Sequence, residues 1–448
     1  MQGRRNAVVY LTGLAFSVVG SSAMLLVAGI WVKTLTGSSS AAALVSVCVY
    51  APSLLGPLGG LIADRVRQQR LLIGVNVAAA AGVSTLLLVS SRDSIWLIYV
   101  VMLGYGCSLV ITDPAETALF TRMFTAEVRV RTNGVRLALQ EAGRLVSPLL
   151  GAAVFVAVGG GAVAGIDAVT FLIAAAATAM LVIPHETVRD QAPEVSWRAE
   201  VAAGLAHLWH TPALRRATIL AAAPIVVSGL LVAAQYSMVT EGLHRSPAFI
   251  GVLASLLGAG SVAASLLSGR LIDRFGELAV ITAGAVNFVA ATALAGAGVL
   301  PLALAAALLA GFALPWSLLG IVCLGQRLSA ISLQGRVSAA ITLLVFGPQP
   351  ITQAIGAALI TRLSYHVVYA MVAAAIAVLL TVMTVHQGSR AQSQQLAVSQ
   401  EQKAALVRKN ERSLPAAAGV PSQGCGSQCR HVVRPLCRSR PIRGWSGG

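Results

Sequence analysis

The chain has 448 residues, of which only 11% are charged, and its formal net charge is +16. Soluble domains carry about 25% charged residues, and the mean hydropathy here is +0.80. The composition therefore excludes a water-soluble globule, a disordered chain and a nucleic-acid-binding domain of ordinary composition. It predicts a protein that crosses the lipid bilayer many times.

Apolar runs separated by polar breaks predict an all-α integral membrane protein, with twelve transmembrane helices in two pseudo-symmetric six-helix halves. Each run is close to the roughly 20 residues that cross a bilayer as a helix. The longest runs are continuously apolar, unlike the alternating strands of a membrane barrel. In chain order, the runs cover residues 8–32, 41–62, 71–91, 95–115, 134–158, 162–184, 218–240, 248–270, 278–300, 302–325, 337–361 and 366–386.

Basic residues fall mainly in the loops on one side of the predicted membrane, and the positive-inside rule makes that side cytoplasmic. The opposite side holds only Lys33, Arg92, Arg245 and Arg362. Because the number of spans is even, both termini are predicted to be cytoplasmic, in a multi-pass protein of the cell (plasma) membrane. The basic residues of the cytoplasmic loops are Arg4, Arg5, Arg65, Arg67, Arg70, Arg122, Arg129, Arg131, Arg136, Arg189, Arg198, Arg215, Arg216, Arg270, Arg274, Arg327 and Arg336.

The longest internal polar stretch separates the two halves and contains an amphipathic pattern. Trp197, Val201, Leu205 and Leu208 recur there at three- and four-residue spacing, which predicts a helix with one apolar face. That helix either lies along the membrane face or forms a short solvated linker. The predicted domains are an N-terminal bundle (1–186), a cytoplasmic linker (187–217), a C-terminal bundle (218–386) and a disordered cytoplasmic tail (387–448).

A charged loop occurs at matching points of the two halves, after the second and the eighth predicted spans. The sequence G-L-I-A-D-R begins at Gly60, and G-R-L-I-D-R begins at Gly269. An internal repeat of this kind is typical of transporters built from duplicated halves. The residues of interest are Gly60, Asp64 and Arg65 in the first copy and Gly269, Asp273 and Arg274 in the second.

This repeated loop resembles the signature of the major facilitator superfamily of secondary transporters. Other stretches are similar to one branch of that superfamily, the enterobactin-exporter and macrolide-efflux-like proteins. The resemblance implies a transporter rather than an enzyme, with a small-molecule substrate, a proton as the coupling ion, no cofactor or metal, and a monomeric transport unit. The similar stretches are 113–115, 131–133, 143–151, 197–216 and 335–338.

In that superfamily the loop acts as a gate, and the residues present here suit the role. Asp64 is placed to face the N-terminus of the eleventh span near Arg336, where the helix dipole favours a carboxylate. Asp113 and Glu116, at the end of the fourth span, are candidate partners for Arg65 and the arginines that follow it. By the resemblance, Asp273 and Arg274 gate the fifth span in the same way. The alternative is that these charges only cap helices and set topology.

Three polar residues of the fifth predicted span, Gln140, Glu141 and Arg144, are candidates for a substrate or proton pathway. Ionisable groups are costly inside a membrane and are functional candidates by default. Glu141 and Arg144 are three residues apart and can pair on one helix face. The alternative is a structural ion pair that joins neighbouring helices. Asp167 is expected at the outer membrane interface.

Two glutamines and a small-residue motif complete the set of candidates. Gln235 and Gln353 could line a cavity, although hydrogen bonds between helices explain them equally well. Gly143, Pro148 and Gly151 resemble part of an exporter signature, in which glycines allow close helix packing and proline bends the helix.

The sequence predicts a secondary active exporter of a small amphipathic compound, such as a drug, an antibiotic or a siderophore-like metabolite. The predicted mechanism is alternating access with proton antiport. No phosphate-binding G-x4-G-K-[ST] loop is present, so an ion gradient is the expected energy source. The alternatives are an uptake transporter or uniporter of the same fold, and a membrane sensor or scaffold that does not transport.

Overall fold

The structure is a computed structural model that describes residues 2–55, 66–124, 126–182 and 197–383. The described helices belong to one compact unit, residues 1–386. Gly60, Asp64 and Arg65 lie outside the described residues, as do all residues of the predicted tail, so the predictions made for them stay predictions.

The described residues of the N-terminal half form six helices in chain order. Short 3-10 turns follow the second and third of them, at Ala51–Leu55 and Thr85–Leu88. The helices are α1 (Gln2–Thr36), α2 (Ser39–Tyr50), α3 (Gln68–Ser84), α4 (Ile95–Met123), α5 (Ala126–Val158) and α6 (Gly160–Ala179).

A linker helix and the C-terminal half follow. The linker helix is α7 (Trp197–His210), and the half that follows it contains α8 (Pro212–Ser228), α9 (Leu231–Ser237), α10 (Ile250–Phe275), α11 (Glu277–Gly296), α12 (Leu300–Leu328), α13 (Ile331–Phe346), α14 (Gln349–Leu359) and α15 (Tyr365–Met383).

The prediction of an all-α membrane fold is confirmed. Within the described ranges, nine helices are long and apolar enough to cross a membrane, and α8 joins the segment Leu231–Gly242 across a 42° bend as a tenth candidate. The second predicted span is described only up to residue 55. The eleventh is divided into α13 and α14 around Gly347 and Pro348, because proline cannot donate the backbone hydrogen bond that a continuous helix needs.

The fifth predicted span, 134–158, is part of a longer helix. Helix α5 begins at Ala126 and has 33 residues, and its candidate membrane span is Ala138–Val158. Arg136 lies on this helix, two residues before the candidate span.

The linker helix α7 packs against the C-terminal half. Leu208 is buried in a cluster with Leu214 and Val337. Gly204 lies so close to the backbone carbonyl of Arg336 that a side chain there would collide with it. The predicted helix is therefore present, and part of its apolar face is covered by α13, which argues against a solvated linker.

The turn between α1 and α2 depends on a glycine with positive φ and on one buried lysine. Gly37 has φ +71°, a conformation that glycine adopts without steric cost. The Lys33 ammonium donates hydrogen bonds to the Gly37 carbonyl at 2.9 Å and to the Ser39 hydroxyl at 2.8 Å. The Ser38 hydroxyl caps the N-terminus of α2. We call the end of the bundle that carries this turn the far end, and the opposite end the basic end.

The two halves contact each other at the far end. The Ser237 hydroxyl on α9 donates to the Ser39 hydroxyl on α2 at 2.8 Å, and both side chains are buried. Ala43 of α2, Ala233 of α9 and Ala357 of α14 form a buried cluster beside them. Small residues at these positions allow the helices of the two halves to approach closely.

Candidate functional site

Glu141 and Arg144 form an ion pair in the middle of α5. The Arg144 guanidinium donates to the Glu141 carboxylate at 2.8 Å. The side chains are 61% and 34% exposed, respectively. The second carboxylate oxygen of Glu141, Oε2, is buried and has no hydrogen-bond partner among the described residues.

Arg144 lies on the side of α5 that packs against other helices. Val135, Val146, Leu149 and Val156 are exposed apolar residues of α5 that share one side of the helix, each at least 42% exposed. Successive residues of an α-helix are about 100° apart around its axis. By that count, Arg144 lies roughly opposite these four residues, between the positions of α5 that contact α1 and α10.

The small residues of α5 pack against α1, as the predicted close approach requires. A Cβ atom on Gly143 would collide with Val18, and one on Gly151 would lie 2.8 Å from the Ala23 side chain. On the adjoining face, the Pro148 carbonyl oxygen lies 2.8 Å from the Cβ position of Gly251 on α10. Helix α5 continues through Pro148, and its predicted part in bending the helix stays a prediction.

Two further residues surround the pair. Tyr50, at the end of α2, interacts electrostatically with Arg144. Gln140 is half-buried on α5, one residue before Glu141. A carboxylate, a guanidinium and a phenol thus come from two helices of the same half, and the arrangement can bind a compound that carries both charged and apolar groups.

Glu116, predicted to be a gating partner of the loop arginines, is bound inside the N-terminal half. Its carboxylate accepts a hydrogen bond from the Tyr10 hydroxyl at 2.9 Å and pairs with Arg136 of α5 at 3.2 Å. The Phe120 ring packs edge-on against Tyr10 and lies 5.8 Å from the Arg136 guanidinium. The sequence analysis did not predict this cluster, because the sequence does not show which faces of α1, α4 and α5 meet. Asp113, the other predicted partner, is exposed.

The second copy of the charged loop lies at the C-terminus of α10. Gly269, Asp273 and Arg274 are exposed, and the Arg274 guanidinium lies 5.3 Å from the neighbouring Phe275 ring. Arg336 is half-buried on α13. The gating roles assigned to these residues stay predictions.

A cavity of about 330 Å³ lies within the C-terminal half. Its walls are mainly alanine, leucine and phenylalanine, with a few polar groups that include Gln235, Gln349, Thr292 and Tyr369. Such a cavity, apolar with a small number of polar groups, is typical of a site for a small molecule.

Gln353 lies behind the wall of this cavity. It is 2% exposed, and its side-chain amide donates to the Gln349 side-chain oxygen at 3.0 Å. Gln349 in turn donates to the Ile225 carbonyl at 2.7 Å. Of the two predicted glutamines, Gln235 therefore lines the cavity, whereas Gln353 holds Gln349, which does.

The N-terminal half contains a smaller cavity, of about 100 Å³, with a different lining. Tyr10 and Glu116 lie on its wall, so it adjoins the buried ion pair of Glu116 and Arg136. The other polar groups on the wall are the side chains of Ser17, Ser21, Asn76, Tyr105, Ser108, Thr112 and Thr178.

Asp167 is buried between helices. Its side chain is 0% exposed, on the face of α6 that packs against α1. A Cβ atom on Gly20 would lie 2.7 Å from the Asp167 carboxylate. The sequence did not indicate this burial, because it does not show which face of α6 meets a glycine of another helix.

Two halves built from apolar helices of membrane-spanning length, in contact at the far end, are the architecture expected of a membrane transporter with duplicated halves. The family model of the Major Facilitator Superfamily matches residues 9–240, which is more than half of the chain. The chain belongs to this superfamily.

The chain is also similar to macrolide efflux protein A of Streptococcus pyogenes, with 24% identity over 199 residues. The same identity is found with the protein of that name from S. pyogenes serotype M6. The match covers 44% of this chain and 49% of the relative, so the chain spans about half the length of the curated relatives it matches.

Solved structures of transporters share the fold. The nucleoside transporter NupG superposes with a TM-score of 0.68 at 13% identity, covering 85% of this chain and 98% of NupG. A bacterial homologue of the iron transporter ferroportin, in an inward-facing state, gives 0.62 at 16% identity, with coverages of 85% and 98%. The peptide transporter POT in complex with sulfate gives 0.64 at 11% identity, with coverages of 86% and 94%. At these identities the likeness establishes the fold alone.

Proposed function

We propose that this transporter exports a small amphipathic compound, of a class that includes macrolides, across the plasma membrane by alternating access and proton antiport. The basic end faces the cytoplasm in this proposal, because most loop arginines lie there. The compound enters from the cytoplasm and leaves at the far end when the contacts between the halves open.

The observation that carries the proposal is the position of Arg144 and Glu141. The two charges are paired at mid-helix, where exposure to lipid is costly, and Arg144 lies opposite exposed apolar residues of α5. Contacts such as the hydrogen bond between Ser39 and Ser237 hold the far end together. A compound bound at the pair is therefore approached from the basic end.

Two further observations support an amphipathic substrate and export. The Arg144 side chain is 61% exposed, and its guanidinium can donate hydrogen bonds to an acceptor group of a ligand. The apolar cavity that Gln235 and Gln349 line suits the hydrophobic body of the same class of compound. The relative with which the chain shares 199 residues is a macrolide efflux protein.

The test is the accumulation of a radiolabelled macrolide in cells that express the protein, with and without a protonophore. We expect the wild type to lower accumulation and the protonophore to abolish this effect. Arg144→Gln and Glu141→Gln should weaken export about tenfold or more, since a hydrogen bond to a charged group contributes roughly 1.5–3 kcal/mol. Arg362→Gln, which removes an exposed arginine at the far end, is the matched control and should export like the wild type.

Two outcomes would contradict the proposal. Higher accumulation in expressing cells would favour the alternative of uptake by the same fold. Unchanged accumulation with every variant, at confirmed membrane expression, would exclude macrolide export.

A further inference from the structure

We propose that Asp167 is a proton-binding carboxylate, and that the hydroxyl-lined cavity between it and Glu116 is the path by which its proton exchanges with the basic end. This inference rests on the proposed function and names the residues that carry the coupling ion. It places proton binding wholly inside the N-terminal half, away from the charged pair on α5.

The first observation is the burial of Asp167 with an incomplete set of partners. Its side chain is 0% exposed. One carboxylate oxygen, Oδ1, accepts from the Thr170 hydroxyl at 3.2 Å. The other, Oδ2, is buried and has no hydrogen-bond partner among the described residues.

The groups that face Asp167 are neutral. Helix α1 presents Gly20, α4 presents the Tyr105 hydroxyl, and α6 itself presents Thr170. No charged side chain in the described ranges interacts with Asp167. An ionised carboxylate buried without a counter-charge is strongly unfavourable, so the neutral acid is the stable form here and carries a proton.

The depth of Asp167 suits a site that both sides of a transporter must reach in turn. It lies seven residues into α6 from Gly160, or about 10 Å along the helix at 1.5 Å per residue. An aspartate that only made a structural hydrogen bond at the membrane surface would not need to lie so far along the helix. Since Asp167 is well inside the bundle, a proton needs a polar route to reach it.

The cavity of the N-terminal half supplies that route. Tyr105, which interacts with Asp167, lies on its wall, and so does Ser21, which interacts with Tyr105. Ser17, Ser108 and Thr112 line it further along, and Tyr10 and Glu116 close the other end. Its volume of about 100 Å³ has room for roughly three water molecules at about 30 Å³ each.

The proton passes along this route by successive transfers. The O–H bond of the Asp167 acid breaks as a new O–H bond forms on a cavity water or on a hydroxyl such as that of Tyr105. Each acceptor passes on its own proton, and the last transfer forms an O–H bond on the Glu116 carboxylate. Glu116 then gives this proton to bulk water at the basic end and is again the carboxylate that pairs with Arg136 at 3.2 Å. The net result is one proton released at the basic end and one carboxylate left at Asp167.

Helix α1 links this event to the space between the halves. Gly20 of α1 packs on Asp167, and Val18, two residues earlier, packs on Gly143 beside Arg144. A charge that appears on Asp167 must change its packing or its hydration, since the site offers no counter-charge. Helix α1 is the element through which that change reaches the charged pair.

Infrared difference spectroscopy of the full chain in lipid tests the assignment without any substrate. We expect a carbonyl band of a protonated carboxylic acid that shifts in heavy water and disappears at high pH. Asp167→Asn should remove this band, and Asp93→Asn, at an exposed aspartate outside the cavity, should leave it unchanged. Thr170→Val, which keeps the acid but removes its hydrogen bond, should move the pH at which the band disappears.

A wild type without the band, or a band that survives Asp167→Asn, would overturn the assignment. If Asp167→Asn does not fold, a titration of the band that Thr170→Val leaves unmoved would overturn it equally.

Proteoliposomes separate this inference from the proposed function. Asp167→Asn should lose macrolide accumulation driven by a pH gradient but keep the exchange of labelled for unlabelled macrolide. Equal loss of both activities would indicate a purely structural role and overturn the inference. If the wild type transports no macrolide while the band depends on Asp167, the proposed substrate is wrong and the proton site stands.

Discussion

The Ser237 hydroxyl on α9 donates a 2.8 Å hydrogen bond to the Ser39 hydroxyl on α2, and this bond joins the two halves at the far end. Ser39 also accepts from the Lys33 ammonium at 2.8 Å. The charged Lys33 side chain therefore hydrogen-bonds to a residue of the contact between the halves. In an alternating-access transporter this contact must break whenever the far end opens.

A cross-link between these positions should therefore arrest transport. In a variant whose native cysteines are replaced, Ser39→Cys with Ser237→Cys should form a disulfide on mild oxidation, because the hydroxyl oxygens are already 2.8 Å apart. We expect macrolide export to stop on oxidation and to return on reduction. The pair Ser39→Cys with Ser246→Cys, which has an exposed second position, serves as the control. Full transport by the oxidised Ser39–Ser237 variant would show that this contact does not need to open.

The close contact between α5 and α10 should leave no room for a side chain at position 258, which is Gly258 in this sequence. A Cβ atom there would lie 2.9 Å from the Leu145 Cα atom and 3.1 Å from the Arg144 carbonyl, both in the backbone. We expect Gly258→Val to destabilise the protein by about 1–3 kcal/mol, the usual cost of overpacking, and to lower the melting temperature in detergent. Gly269→Ala on the same helix, where the Cβ atom meets open space, should not lower it.

Breaking the pair between Glu116 and Arg136 should cost more stability than removing both charges. Each side chain is only 16% exposed, and an unpaired buried charge costs about 3–5 kcal/mol. We expect Glu116→Gln to lower the melting temperature more than the double variant Glu116→Gln with Arg136→Gln does. The pair between Arg327 and Glu277, with Arg327 63% exposed, is the comparison. Arg327→Gln should cost at most about 1 kcal/mol.

An equal loss in the single and double variants at Glu116 would mean that the two side chains contribute independently. The cluster with Tyr10 would then be held by packing on Phe120.

The amide wall of the C-terminal cavity should control which compounds are exported. Gln349→Leu removes the polar group that lies on the cavity wall and bonds to the Ile225 carbonyl. We expect it to change the relative export of macrolides that differ in polarity, by about tenfold for a compound that hydrogen-bonds to the amide. Gln326→Leu, at an exposed position outside the cavity, should leave the ratios unchanged. If Gln349→Leu exports these macrolides in the same ratios as the wild type, the substrate does not bind at this amide.

The sequence predicted the helices well because membrane spans are specified locally. A run of about 20 apolar residues must satisfy its backbone polar groups internally, whatever lies beside it. The pairing of Glu141 with Arg144 is equally local, since it depends on three-residue spacing within one helix.

The contacts between helices could not be predicted from the sequence. Tyr10 and Glu116 are 106 residues apart in the chain, and no pattern links them. The burial of Asp167 depends on Gly20 of α1. Both features arise from how the helices pack. From the sequence alone, Asp167 is only a polar residue near the end of a helix.

The two duplicated halves enclose interiors of opposite character, hydroxyl-lined in the first and hydrocarbon-lined in the second. If the proton is handled in the first and the compound in the second, the two tasks are encoded by separate sets of residues. Substitutions in the second interior can then broaden or narrow the range of exported compounds without disturbing the energy source. In an exporter of the proposed kind, point mutations of the second interior alone would then extend export to a new antibiotic and make the cell resistant to it.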